Sequence, residues 1–210
     1  MPFVKEIHTP VGPIAIWKLS DSLSKLSSLY TLRDSEQEKF ERITSERRKK
    51  EFLASRILTQ KLAGIDQEII YNKSGKPFLK DRNTHISISH SADFAVVFIS
   101  DKKNGIDVEQ TTRNIDKIAT RFLHPTEQEF IERQENRQLL KILFWSAKEA
   151  IFKCSGYQGI QFNQQIQISD FNNSESNEFT GNLHTLTRSF SYKLYYFIIE
   201  NNVMVYCVEQ

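Results

Sequence analysis

The strongest local signal in the chain is a helical stripe, Leu140, Leu143, Phe144, Ala147 and Ile151, within Leu139–Lys153. Apolar residues recurring at three- and four-residue spacing put one broad face on a helix, and that face must be covered. The run stops near Ser155-Gly156, as helices do at a glycine able to take a left-handed C-terminal conformation. A second stripe, Phe52, Leu53, Ile57, Leu58 and Leu62, starts from a cap at Thr44 or Ser45 and ends at Gly64. Outside these stripes the pattern switches to strand-like alternation. It covers Phe3-Val4, Ile14–Trp17, Ile86–Ser91 and Phe94–Ile99, then Gly105–Glu109, Tyr192–Ile199 and Val203–Val208. A helical stretch and several strands in each half predict an α+β fold of two similar halves.

Other elements are placed by their end signals. Pro10 and Gly12-Pro13 break the first strands, and Ser35 with Glu38 has the spacing of a capping box. Asn114–Phe122 is predicted as a short helix, and Thr126 with Glu129 as a second capping box. Residues 169–182 are polar and are expected to form an exposed loop, whereas Glu200-Asn201-Asn202 is expected to turn a hairpin.

Composition excludes more than it selects. With 210 residues and a net charge of +2, the chain is long enough for a sizeable core and does not suggest a general nucleic-acid binder. Cys154 and Cys207 suggest neither a disulfide framework nor a zinc site, and the five histidines show no ligand spacing. No secretory leader or membrane-length apolar run is visible, so a cytoplasmic location is expected.

Chemistry-bearing residues lie mostly at the ends of these elements. In an extended Gly105-Ile106-Asp107-Val108-Glu109, Asp107 and Glu109 share one face, while Ile106 and Val108 face a core. Such a pair is either a solvated face or an oxygen site for a hard cation such as Mg²⁺. Arg56 lies beside the apolar stripe of its helix, unlike Arg47, Arg48, Lys49 and Lys50, and is expected to hold a specific anion, for which phosphate suits its planar fork. Gly75-Lys76-Pro77 reads as a turn presenting a lysine, and Ser89-His90-Ser91 as an anion-binding corner. Glu127 could simply complement a helix dipole, and Glu149 with Lys153 could be an ordinary i,i+4 pair.

Taken together, four stretches resemble the 4′-phosphopantetheinyl transferase superfamily, in its larger, surfactin-synthetase-activating type. They are Gly75-Lys76-Pro77, Ile88-Ser89-His90-Ser91, Gly105–Glu109, and Trp145-Ser146-Ala147-Lys148-Glu149-Ala150-Ile151-Phe152-Lys153. The resemblance runs from about Phe40 to Gly156. It implies halves at 1–103 and 104–210 related by pseudo-two-fold symmetry, with the active site at their interface. It further implies a monomer that moves the phosphopantetheine arm of coenzyme A to a serine of an acyl or peptidyl carrier protein, releasing 3′,5′-ADP. Asp107, Glu109 and Glu149 fall on Mg²⁺-ligand positions, and Lys153 on a second positive group facing the pyrophosphate. Arg48, Arg56, Lys76, Pro77, Ser89 and His90 fall on coenzyme-binding positions, with Arg47 an alternative to Arg48. Glu127 falls on an acidic residue proposed to activate the incoming serine, a role that Glu149 or a polarised water could fill instead. Ser87 departs from the family, which often has asparagine there.

Two other functions fit parts of the sequence. A non-catalytic coenzyme A or carrier-binding regulator would not need the full set of Asp107, Glu109, Glu149 and Lys153. Nucleic-acid binding by Arg47–Lys50 would need interleaved aromatics or a recognised module. Neither membrane nor nucleic-acid partners are expected.

Overall fold

The computed structural model describes residues 3–64, 67–80, 84–169, 171 and 177–210. Phe3–Thr9 (β1) and Gly12–Lys18 (β2) form an antiparallel hairpin. Leu23–Leu29 (α1), Asp34–Glu41 (α2) and Glu46–Ala63 (α3) follow. A short hairpin of Ile69–Tyr71 (β3) and Pro77–Leu79 (β4) leads into His85–His90 (β5) and Phe94–Ser100 (β6). β6 inserts between β2 and β5, giving an antiparallel sheet of order β1-β2-β6-β5.

The chain changes sheet between Ser100 and Asn104. Asn104–Gln110 (β7) precedes Ala119–Phe122 (α4), Pro125–Glu132 (α5), Arg137–Ser155 (α6) and Phe162–Gln165 (α7). Ile166–Ser169 (β8), Glu178–His184 (β9), Ser189–Ile199 (β10) and Asn202–Glu209 (β11) complete an antiparallel sheet of order β7-β11-β10-β9-β8. In each half one long helix covers one face of one antiparallel sheet, so the expected α+β architecture of two similar halves is the observed one.

Strand alternation sorts side chains into three cores. Ala15, Trp17, Val97 and Ile99 face Leu53 and Leu58 of α3. Val203, Val205 and Cys207 face Leu143, Ala147 and Ile151 of α6. The remaining faces meet each other: Ile14, Ile16, Phe94, Val96 and Phe98 pack against Ile106, Val108, Met204 and Tyr206. The layers therefore run helix, sheet, sheet, helix. Burying a large apolar side chain contributes about 1.5–3 kcal/mol, so the middle core favours association of the two halves. Ile106 and Val108 point into that core, which turns Asp107 and Glu109 towards α6.

Two glycines place the crossing of α6. A Cβ on Gly105 would lie 1.9 Å from the Ala150 carbonyl oxygen, so only glycine lets the helix pass this close to β7. Gly156 ends α6 at φ +70°, in the left-handed region, and donates its N–H to the Phe152 carbonyl.

Several boundaries differ from the sequence reading. The cap of α3 is Ser45, whose hydroxyl accepts the Arg48 amide. α2 starts earlier than Ser35 with Glu38 suggested, because the carboxylate folded back onto the helix start is Glu36, accepting from the Arg33 amide. Ser35 donates instead to Glu68. α5 likewise is capped by His124 with Glu127, not Thr126 with Glu129. The segment before Leu123 is a single 3-10 turn, Asp116–Ile118, followed by the four residues of α4. Residues 178–182 are strand rather than loop: β9 is polar on one side, but Phe179, Gly181 and Leu183 are buried. Residues 170 and 172–176 of that stretch lie outside the described residues. Asn202 belongs to β11, leaving Glu200-Asn201 as a two-residue turn.

Candidate active site

A cleft of about 530 Å³ opens where the halves meet, within the size range of small-molecule sites. α3 supplies Arg48, Glu51 and Arg56 to its wall, the β3–β4 turn supplies Lys76 and Pro77, β5 supplies His90, and the end of α6 supplies Lys153. The turn is held by Asn72, whose side-chain oxygen accepts from the Ser74 and Lys76 amides and from the Ser74 hydroxyl. Lys76 reaches across to the other half, donating to the Cys154 carbonyl at 2.7 Å beside Gly156. Burial pulls its ammonium below the ordinary lysine range. His90 lies 3.4 Å from Glu51, which Arg47 holds from its other oxygen at 2.9 Å. Burial holds the His90 imidazole below its usual pKa despite the Glu51 charge.

The boundary between β5 and β7 is stitched by serines. Ser87 accepts the Ile106 amide at 3.0 Å, and Ser89 accepts the Val108 amide at 3.4 Å. Ser91 donates to Asn202 at 2.7 Å. Alternate positions on a strand share a face, so one row of hydroxyls takes the place of a backbone ladder. Ser89 also donates to Asp107 at 2.8 Å and accepts from Lys153 at 2.9 Å. It is buried, with its hydroxyl held by these partners. Lys153 spends its three donors on Ser89, the Ile106 carbonyl and Asp107.

The carboxylates on the far side of Lys153 are poorly satisfied. Asp107 has one oxygen on Lys153 and Ser89 and the other buried without a partner. Glu109 is taken by Arg113 and by the Trp145 indole at 3.0 Å, yet burial and the Asp107 charge raise its pKa. Burial, then the charges of Asp107 and Glu109, push Glu149 up to about 7. Among the described residues the three do not close into a ligand shell, because Asp107 and Glu109 are each turned to a nearby cation. An orphaned buried oxygen and mutually repelling carboxylates are nevertheless the donor chemistry that a hard divalent cation fits.

Two expected site residues are committed elsewhere. The anion that Arg56 holds is Glu36, at 2.9 Å, and both side chains are 3% exposed. Its guanidinium reaches the cleft wall already paired with a carboxylate of the chain. Glu127 is engaged in the same way. Its carboxylate meets Lys148 at 2.6 Å and accepts the His124 and Ile168 amides, each at 2.8 Å. It is buried, and both of its oxygens already accept from the chain. The sequence reading missed Glu51, Arg113, Asn72 and Lys148 as parts of the site or its support. Of these only Lys148 carried a signal, as a charged residue beside the apolar stripe of α6.

Residues 104–207 match the family model described as the 4′-phosphopantetheinyl transferase superfamily. The chain belongs to that superfamily. It is 33% identical to the 4′-phosphopantetheinyl transferase gsp of Aneurinibacillus migulanus over 110 residues, which are 50% of this chain and 46% of that protein. It is also 33% identical to the 4′-phosphopantetheinyl transferase HetI of Nostoc over 108 residues, 47% of this chain and 45% of that one. The chain thus spans about half the length of the curated relatives it matches. Among solved structures, holo-[acyl-carrier-protein] synthase of Thermotoga maritima is similar with TM-score 0.37 and 17% identity, over 51% of this chain and 62% of that one. Holo-ACP-synthase of Plasmodium yoelii is similar with TM-score 0.38 and 20% identity, over 51% of this chain and 92% of that one. No helix among the described residues is long and apolar enough to cross a membrane.

Proposed function

We propose that this chain transfers the 4′-phosphopantetheine group of coenzyme A to a serine of an acyl or peptidyl carrier protein, with Mg²⁺ as cofactor, in the cytoplasm. One observation carries the reading: the basic cleft of the first half ends on the carboxylate cluster of the second, with Lys153 between them. In the reaction the serine oxygen bonds to the phosphorus bearing the pantetheine arm. The bond from that phosphorus to 3′,5′-ADP breaks, and the serine proton departs.

The cleft residues would bind and orient the nucleotide end of coenzyme A, as pre-organised charges do for a transferring phosphoryl group. Lys76, anchored on the end of α6, and His90, anchored on Glu51, are fixed before substrate arrives. Arg48 lies in the same wall. Asp107, Glu109 and Glu149 would hold the Mg²⁺, which when bound neutralises charge on the pyrophosphate. Glu149, one turn before Lys153 on α6, is the group we assign to accept the serine proton, directly or through water.

Incubation with coenzyme A, Mg²⁺ and apo-carrier proteins, followed by intact-mass analysis, tests the reading. The expected result is a phosphopantetheine-sized gain on the carrier and release of 3′,5′-ADP. Coenzyme A that binds and stays intact with every carrier would favour the non-catalytic regulator instead.

A further inference from the structure

We propose that Lys148 and Glu127 form a buried clamp that sets the shape of a second cleft, the one Glu149 enters, and that Glu127 is a positioning residue rather than a base. This second cleft, about 560 Å³, has Glu149 in its wall and shares no lining residue with the first cleft. Its lining includes Phe122, Trp145, Glu149 and Phe162. The Lys148 ammonium accounts for the walls. It donates to the carbonyls of Phe122 at 2.7 Å, Phe162 at 3.1 Å and Ile166 at 2.7 Å, and meets Glu127 at 2.6 Å.

Those acceptors lie at the end of α4, in α7 and at the start of β8, all fastened to α6 one residue before Glu149. Glu127 completes the set through the His124 amide at the head of α5 and the Ile168 amide of β8. Three ammonium hydrogens face four acceptors, and both carboxylate oxygens already accept from the chain, so the pair is committed to holding backbone. α4 and α7 have four residues each, too few to stand as independent helices. Their position depends on what ties them down. A buried ion pair is a weak source of stability compared with apolar packing, but it fixes backbone carbonyls in a way that methyl groups cannot. The inference rests on the functional reading only in taking this second cleft as the place where the carrier serine arrives.

The test compares Glu127→Gln, Lys148→Met and the double variant Glu127→Leu with Lys148→Met, in which neither charge is left stranded. An activity-independent readout is acrylamide quenching of Trp145 fluorescence in a Trp17→Phe background, since these are the two tryptophans. The second is the Kd of coenzyme A by calorimetry, and the third the kcat and KM for an apo acyl carrier protein. The clamp predicts that the double variant stays folded with the wild-type coenzyme Kd, melts lower because the backbone groups the pair served lose their partners, exposes Trp145 to quencher, and raises carrier KM by about tenfold or more with a smaller change in kcat. Wild-type quenching and carrier KM in the double variant would reduce the pair to simple packing and overturn the inference. So would a Glu127→Gln variant that melts normally but loses about 10²–10⁴-fold in kcat together with the acidic limb of its pH profile, the mark of a base. If the wild type transfers nothing, the functional reading fails, and the quenching arm still decides whether the clamp exists.

Discussion

The Arg56–Glu36 pair and the Lys153–Asp107 pair are both buried contacts between a cation and a carboxylate, and they are finished to different degrees. Glu36 accepts from Arg56, from the Tyr30 hydroxyl at 2.7 Å and from the Arg33 amide. Arg56 also bonds the Phe52 carbonyl and Ser55. Asp107 keeps a buried oxygen without a partner and stands beside two carboxylates whose pKa values it raises. A closed network holds helices in place. An open one leaves negative charge unspent for something not belonging to the chain. The Lys148–Glu127 pair, one residue from Glu149, belongs with the closed kind.

If that contrast is right, breaking the closed pair hurts the fold most. Arg56→Leu strands Glu36 without its charge partner and should cost about 3–5 kcal/mol, seen as a melting temperature lower by roughly 10 °C. A loss under 1 kcal/mol in chemical denaturation, with coenzyme A binding abolished, would move Arg56 to the open kind. Next in size is Gly105→Ala. Its Cβ has nowhere to go against the Ala150 carbonyl, and lifting α6 off β7 should cost about 1–3 kcal/mol and weaken Mg²⁺ binding as Glu149 moves from Asp107. Normal stability together with normal metal affinity would contradict the close approach of helix and strand.

The smallest effect is a pH dependence with a defined sign. Glu149 titrates near 7 in the folded chain against an ordinary 4.5, so between those values the folded state holds a proton that the unfolded state has lost. Stability from this group is therefore highest below about pH 4.5 and falls as pH rises to about 7, then stays low. In metal-free buffer Glu149→Gln should be more stable than the wild type at pH 8, by about 1–2 kcal/mol once partial exposure is allowed for, with the gap closing towards pH 4.5. Denaturation curves at several pH values measure it. A gap that widens towards acid would mean that Glu149 is already paired.

Much of the open site was legible because its signals are short-range. Gly105–Glu109 is one strand, and Trp145, Glu149 and Lys153 are successive turns of one helix, so spacing alone puts them on defined faces. The closed networks were not legible, because their partners are distant in sequence and chosen by packing. Nothing near Arg56 announces that Glu36 will fill its fork, and nothing near Glu127 announces Lys148. The serine row of β5 was visible as alternation, but its acceptor role towards β7 depends on two sheets meeting edge to edge. β9 was lost for a simpler reason. Its outward face is polar and Gly181 interrupts its inward face, so its alternation is faint.

The account turns on Asp107 serving a cation and not the fold. With coenzyme A, saturating Mg²⁺ and an apo acyl carrier protein, the wild type should add phosphopantetheine to the carrier. Asp107→Ala should lose at least about 10³-fold in rate, as expected when an electrostatic anchor of the transferring group is removed, while melting no lower than the wild type. Near-normal turnover by Asp107→Ala would contradict the account, as would a collapse of its melting temperature.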